Sequence, residues 1–173
     1  MAMTDTIENL LKNKRYATLR DIFINTNEAD IAAVFEDVKE EDVPLLFRLL
    51  SKDQAADVFA LMDTDQQELL IRGFSDSELK EVFDELYVDD AADIVEEMPA
   101  NVVKRILANT DSDTRKIINE ILKYPEDSAG SLMTIEYISL RPQMTVSEAI
   151  KRIRRTINDK ETIYTCYVTD DNR

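Results

Sequence analysis

The chain has 173 residues, 44% of them hydrophobic and 33% charged, with a formal net charge of −15. It contains no His and a single Cys, Cys166, which excludes His-ligated zinc, Ser-His-Asp and Cys-His catalysis and any intramolecular disulfide, and fits a reducing compartment. Two Gly and four Pro argue against a β-rich fold and a phosphate-binding glycine loop, and no stretch approaches the roughly 20 apolar residues of a membrane span.

The charge is unevenly placed. Residues 141–173 carry seven Lys/Arg against five Asp/Glu, so residues 1–140 hold a net charge of −17. Such a field repels nucleic acid and anionic lipid and attracts cations, though an acidic surface also simply keeps a protein dissolved.

Ten apolar residues recur at intervals of twelve: Leu10, Ile22, Val34, Leu46, Val58, Leu70, Val82, Ile94, Ile106 and Ile118. A second register runs four residues behind, through Val38, Leu50, Met62, Phe74, Leu86, Met98 and Leu122, with Thr110 as the exception. Residues four apart share a helix face, so each unit is predicted to present a two-residue apolar stripe. The intervening segments, such as Ser51-Lys52-Asp53, Asp63-Thr64-Asp65 and Asp111-Ser112-Asp113, are polar and rich in N-cap residues. The spacing predicts short helices joined by tight corners. Two units make a 24-residue hairpin, marked by Val34-Phe35, Val58-Phe59, Val82-Phe83 and Ile106-Leu107. A single unit cannot bury its stripe alone, so the hairpins are expected to stack into a right-handed α-helical superhelix over residues 5–124.

In chain order, Thr4-Asp5-Thr6 caps the first helix, Ala29–Val38 forms another, and Pro44 and Pro99 each open a helix. Tyr124-Pro125 ends the repeat, and residues 125–134, including Glu126 to Ser131, read as a connector. Beyond it the period changes. Tyr137–Leu140 is a strand candidate, and Thr145 with Glu148 makes a capping box. The helix behind that box is expected to hold Val146, Ala149, Ile150, Ile153 and Ile157 inside, with Lys151, Arg152, Arg154 and Arg155 outside. Ile163–Val168 is a second strand, with Cys166 as a buried small side chain, and Asp170 to Arg173 is a turn. This β–α–β piece, residues 135–173, is too short to enclose a core by itself.

The candidate functional groups are carboxylates. Asp89 and Asp93, four apart, share a helix face, with Asp90 pointing elsewhere. Asp57 and Glu81 occupy the same phase of the twelve-residue unit as Asp93. Oxygen-only clusters suit Mg²⁺ or Ca²⁺, whereas Asp89-Asp90 also fits a plain helix start. No nucleophile or cofactor motif accompanies them, and the chain reads as non-enzymatic. The basic run Arg152, Arg154 and Arg155 fits a phosphate but lies on a solvated helix face.

The segment Tyr124-Pro125-Glu126-Asp127-Ser128-Ala129-Gly130-Ser131-Leu132-Met133-Thr134-Ile135-Glu136-Tyr137 resembles the junction of MgtE-type magnesium transporters, where a superhelical N domain passes into paired CBS domains. Met144-Thr145-Val146, Thr162-Ile163-Tyr164 and Leu86 to Val95 are similar to that family as well. The resemblance implies a cytosolic Mg²⁺-sensing region on the cytoplasmic side of the membrane, which gates a pore without itself transporting. It implies Asp89 and Asp93 as ion ligands, completed by Asp57 and the backbone carbonyl of Gly130, with Mg²⁺ weakly bound. It further implies the remaining CBS region and a transmembrane domain as partners in a homodimer, with no nucleic acid and no insertion of this segment into the membrane. On that reading the chain stops inside a truncated α/β CBS fragment. A protein–protein scaffold without an ion site, resembling flagellar motor-switch middle domains, is the alternative. Nucleotide binding is a third reading, for which half a CBS domain lacks the usual paired cleft.

Overall fold

The computed structural model of the chain describes residues 2–125, 128–157 and 160–170. Among them the elements run α1 (Ala2–Lys12), α2 (Tyr16–Ile24), α3 (Glu28–Asp37), α4 (Val43–Phe47), α5 (Lys52–Ala60), α6 (Thr64–Gly73), α7 (Asp76–Glu85), α8 (Val88–Glu97), α9 (Ala100–Asn109), α10 (Ser112–Ile121), β1 (Ile138–Leu140), α11 (Val146–Thr156) and β2 (Cys166–Val168). Helices two apart in sequence pack together. α3, α5, α7 and α9 form one row, and α4, α6, α8 and α10 form the other. The protein is therefore mainly helical, a stack of hairpins followed by a small two-stranded sheet.

The twelve-residue period has a simple physical origin. From α7 to α10 each helix is ten residues long and each corner two. The first corner residue is extended, at φ −69°, ψ 146° for Leu86 and φ −83°, ψ 148° for Met98. The second, Ser75, Tyr87, Pro99 or Asp111, is extended too and starts the next helix. The second apolar register thus lies at the helix exits, where each residue plugs the corner. No described glycine has a positive φ, because a chain that leaves α7, α8 and α9 through extended backbone needs no left-handed residue there; Lys14, just after α1, is the described residue that adopts one, at φ 55°. Thr110 fits the register after all. It is buried, and its hydroxyl donates to the Ile106 carbonyl at 2.9 Å.

From Val34 onward every residue of the first register is buried. A parallel ladder one residue later, through Phe23, Phe35, Phe47, Phe59, Ile71 and Phe83, fills the space between the rows. Phe59 meets Phe47 and Phe83 edge-on, with centroids 6.0 and 6.1 Å apart. Each such burial contributes about 1.5–3 kcal/mol. The free carbonyls at helix exits are met by side chains from later helices. Gln54 Nε2 donates to the Phe23 carbonyl at 2.9 Å, Gln66 Nε2 to Phe35 at 2.6 Å and Gln67 Nε2 to Phe59 at 2.9 Å. Arg105 clamps the α6–α7 corner, donating to the Ile71 and Phe74 carbonyls and to Asp76.

Some expectations need correcting. α1 begins at Ala2, so Thr4, Asp5 and Thr6 lie inside it, and the Thr4 hydroxyl donates to Asp37 Oδ2 at 3.2 Å. β1 and β2 pair in parallel, Ile138 opposite Cys166, with α11 as the crossover. Residues 163–165 are not strand, because β1 offers only three partners. The Thr145–Glu148 capping box is present. On α11, however, Val146, Ile150 and Ile157 are exposed, because no described layer covers that side, and Cys166 is only half-buried. Arg152, expected outside, is half-buried and donates to the Ser139 carbonyl at 3.0 Å. Glu126 and Asp127 of the connector and the turn residues Asp171 to Arg173 lie outside the described residues.

Candidate functional site

The carboxylates converge where α8 begins. Tyr87 stands in extended backbone before α8 and contributes no side-chain cap. Asp89 and Asp90, in the first turn, are half-buried, and Asp93, one turn on, is exposed. α5 packs against α8 and presents Asp57. The segment entering β1 arrives at the same end, where Glu136 Oε1 accepts a hydrogen bond from Val88 N at 3.3 Å and the Tyr87 hydroxyl donates to the Lys160 carbonyl at 3.4 Å. Asp53, Asp57, Asp84, Glu85, Tyr87 and Glu136 line an open cleft of about 760 Å³.

This neighbourhood penalises negative charge. Burial first, then the field of Glu161, pushes the Asp89 carboxyl up to about 6, against the partial pull of the Asp89 and Asp90 amides. Asp89 Oδ1 is buried without a hydrogen-bond partner among the described residues. Asp90 is raised by burial and then by Glu161, Asp93, Asp57 and Glu136. Asp93 is raised by burial and Glu97, and Asp57 by burial, Glu28 and Asp53. The Tyr87 hydroxyl is raised by burial and by Asp57, Glu161, Glu136 and Asp90. Carboxylates that repel one another at a half-dry site favour a bound cation. Among the described residues, no three stand close enough together to hold a metal ion as they are.

The expected residues are thus only partly assembled. Asp57 and Asp93 both act on Asp90, with Asp89 in the same turn of α8. Asp90, which its spacing directs away from the face shared by Asp89 and Asp93, nonetheless stands within the field of this acidic group. Asp89 and Asp90 also keep the helix-start role that their spacing suggested: both stand in the first turn of α8, and the Asp89 carboxyl is drawn by the Asp89 and Asp90 amides, while Tyr87 before them makes no side-chain cap. Gly130 lies against the Tyr124 ring, where an added Cβ would come within 2.5 Å of Cγ and 2.9 Å of Cε1. Glu136, Glu161 and Tyr87 escaped sequence reasoning. The one available signal was that Glu136 directly follows the Leu132-Met133-Thr134-Ile135 run.

Residues 26–127 match the family model of the MgtE intracellular N domain. The chain is 41% identical over 88 residues to the magnesium transporter MgtE of Thermus thermophilus, and 26% identical over 85 residues to that of Bacillus subtilis. Each alignment covers 49% of this chain and 19% of the relative's length. The fold is similar to the crystal structure of the cytosolic domain of the Mg²⁺ channel MgtE in complex with ATP, with TM-score 0.87 and 31% identity, over 98% of this chain and 69% of that one. It is also similar to the crystal structure of the soluble part of a magnesium transporter, with TM-score 0.85 and 25% identity, over 97% of this chain and 66% of that one. No described helix is long and apolar enough to cross a membrane. With the family model matching more than half of its residues, including the helices that carry Asp57, Asp89 and Asp93, the chain belongs to the MgtE family, whose intracellular N domain it carries.

Proposed function

We propose that this chain is the Mg²⁺-sensing part of a magnesium transporter, and that cation binding at the start of α8 controls a membrane pore carried by other parts of the protein. The observation that carries this reading is Asp89, raised to about 6 by burial and by like charges, with one buried oxygen that has no hydrogen-bond partner among the described residues. Asp89, Asp93 and Asp57 are the proposed ligands, with the Gly130 carbonyl completing the set. The oxygen-only donors suit Mg²⁺, which keeps several of its waters and needs few direct ligands. The bound ion supplies positive charge that offsets the mutual repulsion. Because the carboxylates now stand apart, binding draws them together, and the ion shifts the arrangement by its differential affinity for the closed form. Residues 5–124 act as the sensing domain, 125–134 as connector and 135–173 as part of a CBS domain. The partners are the rest of that CBS region, the transmembrane domain and a second copy of the protein.

A thermal melt in several millimolar MgCl₂, against NaCl of matched ionic strength, tests this. The expected result is a Mg²⁺-specific rise that Asp89→Ala removes. Equal rises in both salts would leave only screening, and the scaffold reading would replace the sensor.

A second ligand class has its own support. Lys151, Arg152 and Arg155 line an open groove of about 470 Å³ along α11, and a neighbour of similar fold was crystallised with ATP. Binding of a nucleotide's phosphates along that groove predicts an ATP-dependent rise in melting temperature that Arg155→Ala lowers.

A further inference from the structure

Five helices of the stack close their own N-termini, whereas α2, α4, α8 and α9 have no side-chain cap of their own. Asn27, Ser51, Asp63, Ser75 and Asp111 each accept an amide hydrogen bond from the helix they precede. At α8 the N-cap residue, Tyr87, makes no side-chain cap, and the first amide, Val88 N, donates to Glu136 Oε1, 48 residues further along the chain. Glu136 is braced for this role. Its own amide donates to Thr134 Oγ1 at 3.1 Å, and the Thr134 hydroxyl donates to Glu136 Oε2 at 3.3 Å. Beside it, Ile135 packs on the helical core. The Tyr87–Lys160 hydrogen bond joins the same two parts of the chain at the same helix end.

We propose that Glu136 is a latch: by capping α8 from outside the helical stack, it seats the β–α–β piece on the helix that carries Asp89, Asp90 and Asp93. Two opposed forces act on it. The amide groups and dipole at the start of a helix attract a carboxylate, while Asp90 repels it. A cation held by the aspartates removes the repulsion and leaves the attraction, so the latch closes when the cation binds. That last link rests on the sensing reading given above, whereas the cap itself does not.

The contact can be cut from either side. Val88→Pro removes the donor but suits the first position of a helix, and Tyr87, at φ −65° and ψ 151°, already has the extended backbone that a residue before proline requires. Glu136→Ala removes the acceptor. With spin labels at Lys104→Cys on α9 and Lys151→Cys on α11, in a Cys166→Ser background, the interlabel distance distribution reports whether the β–α–β piece is seated. Each variant is expected to raise the unseated fraction about fivefold, the factor that corresponds to losing a cap of about 1 kcal/mol. The double variant is expected to do no more than either alone, because both delete one bond. An unchanged distribution in either single variant, or effects that add, would overturn the latch. Should Val88→Pro fail to fold, Glu136→Gln, which keeps an acceptor and loses the charge, must fall between the parent and Glu136→Ala. MgCl₂ against matched NaCl should lower the unseated fraction in the parent and not in Val88→Pro. An equal Mg²⁺ response in both would refute the coupling between cation and latch. No Mg²⁺ response in either, with the single and double variants behaving as expected, would refute the sensing reading and leave the cap standing.

Discussion

Asp89→Asn should stabilise the protein in the absence of divalent ions. Asn has the same shape but carries no charge, so it removes the penalty of holding a carboxylate half-buried and in the field of Glu161 and Asp90. The folded-state value is about 6 against an ordinary 3.8, a difference that corresponds to about 3 kcal/mol at 1.36 kcal/mol per unit. Solvent screening at a half-exposed site leaves roughly 1 kcal/mol of it. In a chain of this size that is a rise of about 2–4 °C in melting temperature. The pH dependence gives the effect its signature. The folded state holds the Asp89 proton more tightly than the unfolded state. Its contribution to stability is therefore fully present below pH 3.8 and is lost as pH rises through about 6. Calorimetric melts of the parent and Asp89→Asn near neutral pH and at about pH 4 should differ at the first and coincide at the second. A lower melting temperature for Asp89→Asn near neutrality, or a gain of equal size at both pH values, would refute the reasoning. Added Mg²⁺ should reverse the order. At about ten times the dissociation constant, a site intact only in the parent contributes about 1.4 kcal/mol.

Gly130→Ala forces its new methyl group against the Tyr124 ring. It should cost about 1–3 kcal/mol in chemical denaturation, a loss that Tyr124→Ala made in the same chain partly restores. Arg105→Ala leaves the Ile71 and Phe74 carbonyls without their guanidinium donors and should cost roughly 2 kcal/mol. Arg105→Lys should recover little of that in the same assay, because an ammonium cannot span two carbonyls and Asp76 together. Thr110→Val should leave the melting temperature within about 2 °C of the parent. The Ile106 carbonyl keeps its bond from Thr110 N at 3.0 Å, and the slot is one that apolar residues fill elsewhere in the register.

The twelve-residue spacing of Val34 through Ile118, and the Ser, Asp and Asn residues at the corners, determined the helices, their length and the buried register. A helix's buried stripe and its cap are set within one or two turns, so the residues that decide them lie side by side in the sequence. The acidic balance of residues 1–140 likewise carried, without folding information, the expectation of an attracted cation on which the proposed function builds. The tertiary structure alone decided which carboxylates meet. Asp90 looked diverted by its spacing, yet it shares its field with Asp57 from α5 and with Glu136 and Glu161 from beyond the connector. Glu136 reaches Val88 across 48 residues, and Gln66 reaches the Phe35 carbonyl across 31. Such pairings depend on how stacked hairpins bring distant helix ends together, and periodicity carries no information about that. The same reason accounts for α11. Its amphipathic pattern correctly marked an apolar face, but Val146 and Ile150 are exposed because burial needs a second surface, and one helix's sequence does not say where that surface lies.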